Sequence, residues 1–459
     1  MGNLIHPEDL AVDRQLQQEA NPVSQTAEMT LFQLAADGNR EAAEIAGKLG
    51  LTFEGTQAAG SERMTPEDMI AFRMVLEVRY RVMERLAEES GCGTVADLPC
   101  GYTPMAVTLS RRGKRYVGMD LPAVVSAVKE IIPPMIAEEN RQAVRFTAVD
   151  ATTDDSMEAA FSETEGSLCI VTSGLLMYFS DAEADAMLRC VKKALDRYGG
   201  CWITADPEVE LQHFSILQAL CGDRFDRVMR ERTNVIEIKS DTPLGQNALM
   251  LHRLSREQDL KRAAAFLEAR GLRAERLTVA DWLGKKDPPS FSLAGPEQRE
   301  AVRKVFRETA FWRITSAGPA PSAEKDPAAE TGKRAAKRGP DFRIRAERKG
   351  DLLELELAGR LDTLSAPDLL ALYKKEAAEG GLRKVVFHCR QLSFVSSAGL
   401  RVLLMIRKAC RDGVFMAGMN NLVREIIDQT GFTPLLADAS GAEDPAASPA
   451  PPAKEGAKR

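Results

Sequence analysis

Apolar residues in the first two thirds of the chain recur with two different spacings, which predicts alternating strands and helices. Nearly continuous apolar runs, typical of strands buried in a parallel sheet, occupy residues 94–98, 116–119, 144–150, 168–172 and 201–206. Between them, apolar positions repeat every three or four residues, as in the helix that Thr65 and Pro66 begin as N-cap and first helical residue. The pattern indicates an α/β domain with a doubly wound, mostly parallel sheet.

The same pattern divides the chain into five segments. Residues 1–64 are polar with helical spacings, and we expect this N-terminal helical segment to cover the domain formed by residues 65–316. Residues 317–340 and 438–459 are rich in Pro, Ala and charge and poor in large apolar side chains, so we expect a disordered linker and a disordered tail. Residues 341–437 form a second, smaller α/β domain.

The smaller domain begins with two runs in which apolar and charged residues alternate, which predicts two half-buried strands. The two strands are predicted at 342–346 and 353–357. After them we predict a helix at 366–377, a strand at 384–388, a helix beyond Gly399, a strand at 414–417 and a closing helix at 422–429. Strands again alternate with helices, as in the larger domain.

Composition limits the partners and the compartment that we expect. The chain has 459 residues and a formal net charge of −6, which disfavours nucleic acid and anionic membranes as partners. No run approaches the ~20 apolar residues of a membrane span, and the start lacks a signal-peptide pattern. The eight cysteines show no zinc or redox spacing, so we expect no metal site and reduced thiols in a cytoplasmic protein.

The turn after the first strand of the larger domain is the candidate for ligand binding. Pro99, Cys100 and Gly101 form a tight turn in which the glycine lets a ligand approach the backbone. Asp120 ends the second strand nineteen residues after Gly101, where a carboxylate can accept hydrogen bonds from both hydroxyls of a ribose. Asp97 ends the first strand. Because no P-loop occurs, the pattern indicates an adenosyl ligand without a phosphate chain.

Three short stretches carry a family resemblance. Residues 96–104 (ADLPCGYTP), 118–122 (GMDLP) and 174–178 (GLLMY) resemble class I S-adenosylmethionine-dependent methyltransferases, specifically the leucine carboxyl methyltransferase-like group, over about residues 60–315. The resemblance implies S-adenosylmethionine as cofactor and methyl transfer to a carboxylate or a small molecule. The residues implied to contact the cofactor are Arg73, Asp97, Pro99, Cys100, Gly101, Asp120, Leu121, Asp150, Ala151 and Ser173.

Tyr178 and His213 are the candidates for the acceptor side, with His213 as a base. Both side chains have an alternative role in packing, and Arg73 has one in a salt bridge. Two features depart from the methyltransferase group: Ser173 stands just before Gly174, where the group usually has a carboxylate, and Pro-Cys replaces a glycine-rich loop. These departures leave open an O-methyltransferase or a binding domain without catalysis, and they do not imply methylation of a phosphatase subunit.

Residues 394–404 (FVSSAGLRVLL) lie between a predicted strand and a predicted helix and resemble the STAS family, the sulfate-transporter and anti-sigma-factor-antagonist domain. The resemblance covers residues 342 to about 436. It implies that an anti-sigma factor with serine kinase activity phosphorylates Ser397, that a phosphatase reverses the step, and that Ser396 and Asp362 belong to the switch. A phosphate at a helix start gains from the helix dipole, and its charge of about −2 changes a partner-binding surface. Alternatively, either serine only caps the helix.

Three functions fit these observations. The first is a signalling fusion, in which a methyltransferase is joined to partner switching by the STAS domain. The second is a metabolic O-methyltransferase whose STAS domain scaffolds an assembly. The third is a catalytically inactive domain that senses S-adenosylmethionine and controls the STAS regulator.

Overall fold

In the computed structural model, the described residues are 3–5, 23–51, 65–151, 154–162, 164–179, 181–229, 247–251, 256–284, 286–318, 342–362, 365–395, 397–410, 413–420, 423–424, 427 and 437–438. Most of the predicted linker, Ser396, most of the closing helix and nearly all of the predicted tail lie outside these ranges. The chain divides into a larger compact unit, residues 17–335, and a smaller one formed by residues 1–16 and 336–459. The first strand, β1 (Asn3–Ile5), belongs to the smaller unit.

The larger unit is built on a sheet to which the described residues contribute seven strands. These are β2 (Thr94–Asp97), β3 (Arg115–Asp120), β4 (Val144–Ala148), β5 (Leu168–Thr172), β6 (Gly200–Thr204), β7 (Leu272–Thr278) and β8 (Ala310–Ser316). Their order is β4-β3-β2-β5-β6-β8-β7. β8 runs antiparallel to both of its neighbours, and the other neighbouring strands are parallel. The predicted α/β class with a mostly parallel sheet is confirmed.

Helices connect and cover these strands. They are α1 (Val23–Ala36), α2 (Arg40–Lys48), α3 (Pro66–Glu89), α4 (Met105–Ser110), α5 (Pro122–Ile131), α6 (Asp154–Phe161), α7 (Asp181–Tyr198), α8 (Val209–Cys221), α9 (Arg256–Glu268), α10 (Val279–Leu283) and α11 (Pro296–Glu308). α3 begins as predicted, because the Thr65 hydroxyl accepts the Asp68 N–H at 3.1 Å. α5 ends at Ile131, because Pro133 and Pro134 cannot donate the hydrogen bonds of a continued helix.

The core of the larger unit lies along the middle of the sheet. Every residue of β2 and β5 is buried, as are Trp202 on β6 and Trp312 on β8. Burying each large apolar side chain contributes about 1.5–3 kcal/mol, so this central stripe fixes the positions of the strand ends. Among the described residues, no helix has the length and apolar character needed to cross a membrane.

The described residues of the smaller unit include a second sheet with helices beside it. Its further elements are β9 (Arg343–Lys349), β10 (Leu352–Leu361), α12 (Ala366–Ala378), β11 (Lys384–Val395), α13 (Ser397–Ala409), β12 (Val414–Ala417) and β13 (Ala437–Asp438). In the described part the strand order is β1-β9-β10-β11-β12-β13. β9 runs antiparallel to β1 and β10, and the remaining neighbours are parallel.

Two elements of the smaller unit differ from the pattern-based expectation. Residues 3–5, which we expected to belong to the helical cover, form β1 and pair with β9, with Leu4 opposite Arg345. A three-residue strand is too short to show a hydrophobic period, so the sequence pattern could not reveal it. β11 continues seven residues past the predicted end, because register shifts keep it paired with β10 to Val395.

Candidate functional site

The carboxyl ends of the parallel strands form one edge of the larger sheet. β2 lies between β3, which follows it along the chain, and β5, which the chain reaches only after β4 at the outer edge. The strand order therefore reverses between β2 and β5. In open α/β sheets, ligands bind in the crevice outside the carboxyl ends at such a reversal. The residues that follow β2, β3 and β5 border this crevice.

The turn after β2 is held to the end of β3 by hydrogen bonds. The Gly101 N–H donates to Asp120 Oδ2 at 2.7 Å, and the Leu121 N–H donates to Oδ1 of the same carboxylate at 2.7 Å. The Cys100 N–H donates to the Met119 carbonyl at 3.0 Å. Gly101 has a φ of +53°, which favours glycine. The turn and the carboxylate therefore form one preorganised unit.

Neighbouring residues shape this turn. The Leu98–Pro99 peptide bond is cis, and Cys100 is buried against β3. A Cβ on Gly118 would stand 3.2 Å from Cys100 Sγ and 2.4 Å from the Phe146 ring, so the strand needs glycine where the cysteine packs. The structure thus gives Pro99 and Cys100 a role in forming the turn.

Two buried carboxyl groups, Asp97 and Asp120, stand at the ends of β2 and β3. Asp97 is 3 % exposed and accepts the Tyr116 hydroxyl at 2.7 Å. Burial raises the pKa of Asp97 to about 7, with the Asp120 charge adding to the shift and Tyr116 opposing it. Burial likewise raises the pKa of Asp120 to about 6, against the opposing hydrogen bonds from Leu121 and Gly101. Removing charged groups from water disfavours their ionised form.

The end of β4 joins the same edge of the sheet. Asp150 and Ala151 follow this strand, and both are buried. The Asp150 N–H donates to Ser156 Oγ at 3.0 Å, and the Val149 N–H donates to the Asp120 carbonyl at 3.0 Å. The predicted residues at the ends of β2, β3 and β4 therefore meet on neighbouring strands.

The loop after β5 is organised by a residue that the sequence analysis did not assign to the site. Asp206 is fully buried, and its carboxylate accepts the N–H groups of Gly174 at 2.5 Å, Leu175 at 2.8 Å and Leu176 at 2.9 Å. A carboxylate that gathers three backbone donors fixes the path of the chain. Ser173 and Tyr178 lie in the segment that this carboxylate holds. The only signal in the sequence was an aspartate at the end of an apolar run.

Arg79 on α3 is a second residue that the sequence analysis missed. Its guanidinium lies against Gly174, where an added Cβ would stand 3.5 Å from both terminal nitrogens. Burial lowers the pKa of Arg79, and the Asp206 charge and Tyr178 oppose this shift. The signal in the sequence was an arginine flanked by Val78 and Tyr80 on an otherwise buried helix face. A partly buried cation therefore faces the loop after β5.

Two predicted residues, Arg73 and His213, have partners on or next to the helices of the larger unit. Arg73 forms an ion pair with Asp37, which follows α1. His213 on α8 lies 3.4 Å from Asp68 at the start of α3 and packs edge-on against Phe214. Arg73 therefore forms a salt bridge and His213 makes a packing contact, as their alternative roles require. The cofactor role of Arg73 and the catalytic role of His213 stay predictions.

The smaller unit brings its predicted switch residues to one sheet edge. β10 and β11 are parallel neighbours with Leu361 opposite Val395, so Asp362 and the start of α13 at Ser397 follow adjacent strand ends. Asp362 is buried; its N–H donates to Ser365 Oγ at 2.8 Å, and its Oδ2 lies 3.5 Å from Arg360. Ser396 lies outside the described residues.

Gly399 explains part of the motif that begins α13. A Cβ at this position would stand 2.5 Å from the Leu361 carbonyl oxygen and 3.0 Å from Val395. The helix therefore approaches the ends of β10 and β11 more closely than any other residue type would allow. This contact fixes where α13 begins relative to Asp362.

The geometry defines a protein with two α/β units, each with candidate residues at the carboxyl ends of adjacent parallel strands. Residues 343–441 match the family model of the STAS domain. The predicted STAS resemblance is therefore confirmed, and this part of the chain is a STAS domain.

Solved structures resemble each unit at low identity. The Bacillus cell fate determinant SpoIIAA in its phosphorylated form is 19 % identical, with a TM-score of 0.19 over 21 % of this chain and 92 % of that protein. An O-methyltransferase family protein from Burkholderia thailandensis is 14 % identical, with a TM-score of 0.30 over 55 % of this chain and 60 % of that protein. Human N-acetylserotonin methyltransferase, solved with SAM, is 12 % identical, with a TM-score of 0.28 over 65 % of this chain and 71 % of that protein. These scores are too low to bear on the function.

Proposed function

We propose that the larger unit binds S-adenosylmethionine at the carboxyl ends of β2, β3 and β4 and transfers its methyl group to a carboxylate or another small-molecule oxygen. The observation that carries the proposal is the Asp120 carboxylate, which holds the Gly101 turn at the point where the strand order reverses. A carboxylate has about four acceptor sites. The Gly101 and Leu121 N–H groups use two of them, and the others suit the two hydroxyls of a ribose.

Other residues at this edge suit the rest of the cofactor. Gly101 keeps the turn open to a ligand, and Asp150 with Ala151 would border the adenine. For the methionine carboxylate, the family resemblance points to Arg73. Arg79 is the second candidate, because its partly buried guanidinium lies against Gly174 in the loop after β5. A guanidinium suits a carboxylate because it can donate two parallel hydrogen bonds.

The bound cofactor would supply an already activated methyl group on a sulfonium. The protein then has to place the acceptor oxygen in line with that methyl group and exclude water. Tyr178, which follows the residues held by Asp206, would line the acceptor side. His213 would act as the base that removes the acceptor proton, with Asp68 at 3.4 Å orienting its ring.

Calorimetry with S-adenosylhomocysteine tests cofactor binding. We expect a dissociation constant of about micromolar or lower, corresponding to roughly 8 kcal/mol. Asp120→Ala should abolish the heat while the fold survives, and Asp287→Ala, which removes a surface carboxylate paired with Arg303, should leave it unchanged. Absence of heat with the wild-type chain would rule out the methyltransferase assignment.

A second candidate function for the larger unit is sensing of S-adenosylmethionine without turnover. Ser173 favours it, because the methyltransferase group usually has a carboxylate at this position. Both functions predict cofactor binding, so a turnover assay separates them. Methyl transfer from labelled S-adenosylmethionine to any acceptor would exclude pure sensing, whereas tight binding without transfer to carboxylate, phenol and thiol acceptors would favour it.

For the STAS domain we propose partner switching by phosphorylation of Ser397. The start of α13 at this residue, beside Asp362 at the end of β10, supports the proposal. A phosphate here would add charge close to the Asp362 carboxylate and to the helix start, so it would change any partner surface at this edge. The partners would be an anti-sigma factor with serine kinase activity and an opposing phosphatase.

Co-expression with the native anti-sigma kinase, followed by intact-mass measurement, tests the switch. We expect one added phosphate in the wild-type chain and none in Ser397→Ala. A phosphate that persists in Ser397→Ala would assign the modification to another residue. Absence of any mass shift would contradict the switch.

A further inference from the structure

The outer edge of the smaller sheet is only partly covered by its last strand. β9 has seven residues, and β10 pairs with all of them on the inner side. β1, the described strand on the outer side, pairs with three of them, as Asn3–Ala346, Leu4–Arg345 and Ile5–Ile344. The other four, Arg343 and residues 347–349, have no outer strand among the described residues. Unpaired backbone groups on such an edge are a template for another strand.

β1 is a short and weakly held neighbour. Three residues allow few hydrogen bonds, and fixing the backbone of three residues costs about as much free energy as those bonds contribute. Pro7 stands two residues after Ile5 and has no backbone N–H, so it cannot donate to a longer ladder. A strand that pairs with more of β9 can therefore displace β1.

Basic residues dominate β9. The strand contains three arginines and one lysine against one glutamate. The basic residues at its C-terminal end already have partners: Arg348 pairs with Glu379 at 3.1 Å, and Lys349 pairs with Glu354 at 2.8 Å. The basic charge that is left without a partner therefore lies at the start of the strand.

Arg343 and Arg345 carry this remaining charge. Both are exposed, and neither forms an ion pair within the described part of the chain, although Glu356 stands opposite Arg345 on β10. Successive side chains of a strand alternate between its two faces, so the two arginines share one face and the buried Ile344 lies on the other. The residue that β1 places opposite Arg345 is Leu4, which cannot balance the charge. Opposite charges directly across two strands stabilise the pairing, so acidic residues at these positions would bind better than β1 does.

We propose that the outer edge of β9 binds an extended segment of a partner protein, in which acidic residues alternate with apolar ones, and that this segment displaces β1. In an antiparallel arrangement like that of β1, acidic residues would stand opposite Arg343 and Arg345, and an apolar residue would stand opposite Ile344. Main-chain hydrogen bonds would supply affinity, and the alternating side chains would supply specificity. A second copy of β9 is a poor occupant, because two strands with this excess of basic residues repel each other. The proposal depends neither on methyl transfer nor on phosphorylation of Ser397.

Fluorescence anisotropy with a labelled peptide tests the proposal on the full chain. The probe alternates glutamate with valine (GTVEVEVTG), and the matched control has lysine in place of glutamate (GTVKVKVTG). In about 150 mM salt, where the Debye length is about 8 Å, loose attraction to surface charges is suppressed. We expect saturable binding of one glutamate peptide per chain, and binding of the lysine peptide that is weaker by about tenfold or more. Equal binding of the two peptides, or no binding of the glutamate peptide at millimolar concentration, would overturn the proposal and leave the charged residues only a role in protecting the edge from aggregation.

Disabling β1 should strengthen peptide binding. Successive N–H groups of a strand point to opposite sides, so one of the two prolines in the double variant Leu4→Pro and Ile5→Pro removes a donor to β9. We expect this variant of the full chain to bind the glutamate peptide several-fold more tightly than the wild type does. No gain in affinity would show that β1 and the peptide do not compete, and would overturn the proposal. Self-association of the wild type that this variant loses would assign the edge to β1 of a second copy, and would also overturn it.

Charge reversal locates the site. Arg343→Glu combined with Arg345→Glu should weaken binding of the glutamate peptide by about tenfold or more and strengthen binding of the lysine peptide. A damaged fold would not exchange one preference for the other. Arg273→Glu, at an exposed position on β7, the edge strand of the larger sheet, is the control that should bind like the wild type. An unchanged preference for the glutamate peptide in the charge-reversed chain would refute the site, whether or not S-adenosylhomocysteine binds.

Discussion

Replacing Asp206 by Asn tests whether the loop after β5 forms part of the cofactor site. The carboxylate accepts three backbone N–H groups, two on Oδ2 and that of Gly174 on Oδ1. Asn can keep the two bonds to Oδ2, but its amide nitrogen then faces the Gly174 N–H. The Gly174 N–H loses its acceptor and the new amide donor is left without one, at roughly 1–3 kcal/mol each. The expected loss of roughly 2–6 kcal/mol is large beside a total stability of roughly 5–15 kcal/mol.

Glu208 provides a matched control, because it is also fully buried and also holds several donors. Its carboxylate accepts Arg276 Nε at 2.6 Å, Arg276 Nη2 at 2.9 Å, Trp312 Nε1 at 2.9 Å and the Ala310 N–H at 3.1 Å. These donors lie on β7 and β8, the last two strands of the sheet. Glu208→Gln should therefore destabilise the unit by a similar amount without moving the loop after β5.

Tryptophan emission during urea unfolding measures the stability of the larger unit alone, because all three tryptophans of the chain, Trp202, Trp282 and Trp312, lie in it. Calorimetry with S-adenosylhomocysteine on the folded variants then measures the site. We expect both variants to unfold at lower urea, but only Asp206→Asn to lose affinity, by about tenfold or about 1.4 kcal/mol. Wild-type affinity in folded Asp206→Asn, or an equal loss in both variants, would refute this role of the loop.

Three further changes test other parts of the structure. The raised pKa values of Asp97, about 7, and Asp120, about 6, mean that the native state holds protons which the unfolded state has released. Their stabilising contribution is complete below about pH 4 and is lost as the pH rises through 6–7. Unfolding midpoints measured from pH 5.5 to 8 should therefore fall more steeply in the wild type than in Asp97→Asn. Equal slopes of midpoint against pH in the two proteins would contradict this. Gln212→Met should raise the unfolding free energy by roughly 1–3 kcal/mol in urea titrations, because both amide atoms of this fully buried side chain lack partners, and destabilisation would contradict the reasoning. Gly399→Ala should unfold the STAS domain at lower urea by circular dichroism, because the methyl group would stand 2.5 Å from the Leu361 carbonyl oxygen; an unchanged midpoint would show that α13 can shift.

The sequence predicted the fold correctly where buried positions recur at a regular spacing along the chain. Continuous apolar runs located β2 to β6, and the helical repeat with the Thr65 cap located α3. Strand order was not readable, because pairing depends on contacts between distant segments. β1 shows the limit most clearly: three residues carry no period, and their partner strand lies more than 300 residues away.

The candidate site was predictable where a motif and a strand end coincide. Gly101 and Asp120 were selected by spacing, and the structure joins them directly at 2.7 Å. Arg79 and Asp206 were missed because their importance lies in burial and in the groups they face, and a single sequence reports neither.

In both sheets the candidate residues lie at the carboxyl ends of adjacent parallel strands. Asp97 ends β2, and Ser173 follows the adjacent strand β5. In the smaller sheet, Asp362 follows β10, and Ser397 begins the helix after the adjacent strand β11. Parallel strands with helical connections bring such residues together at one edge, because each connection leaves from a carboxyl end.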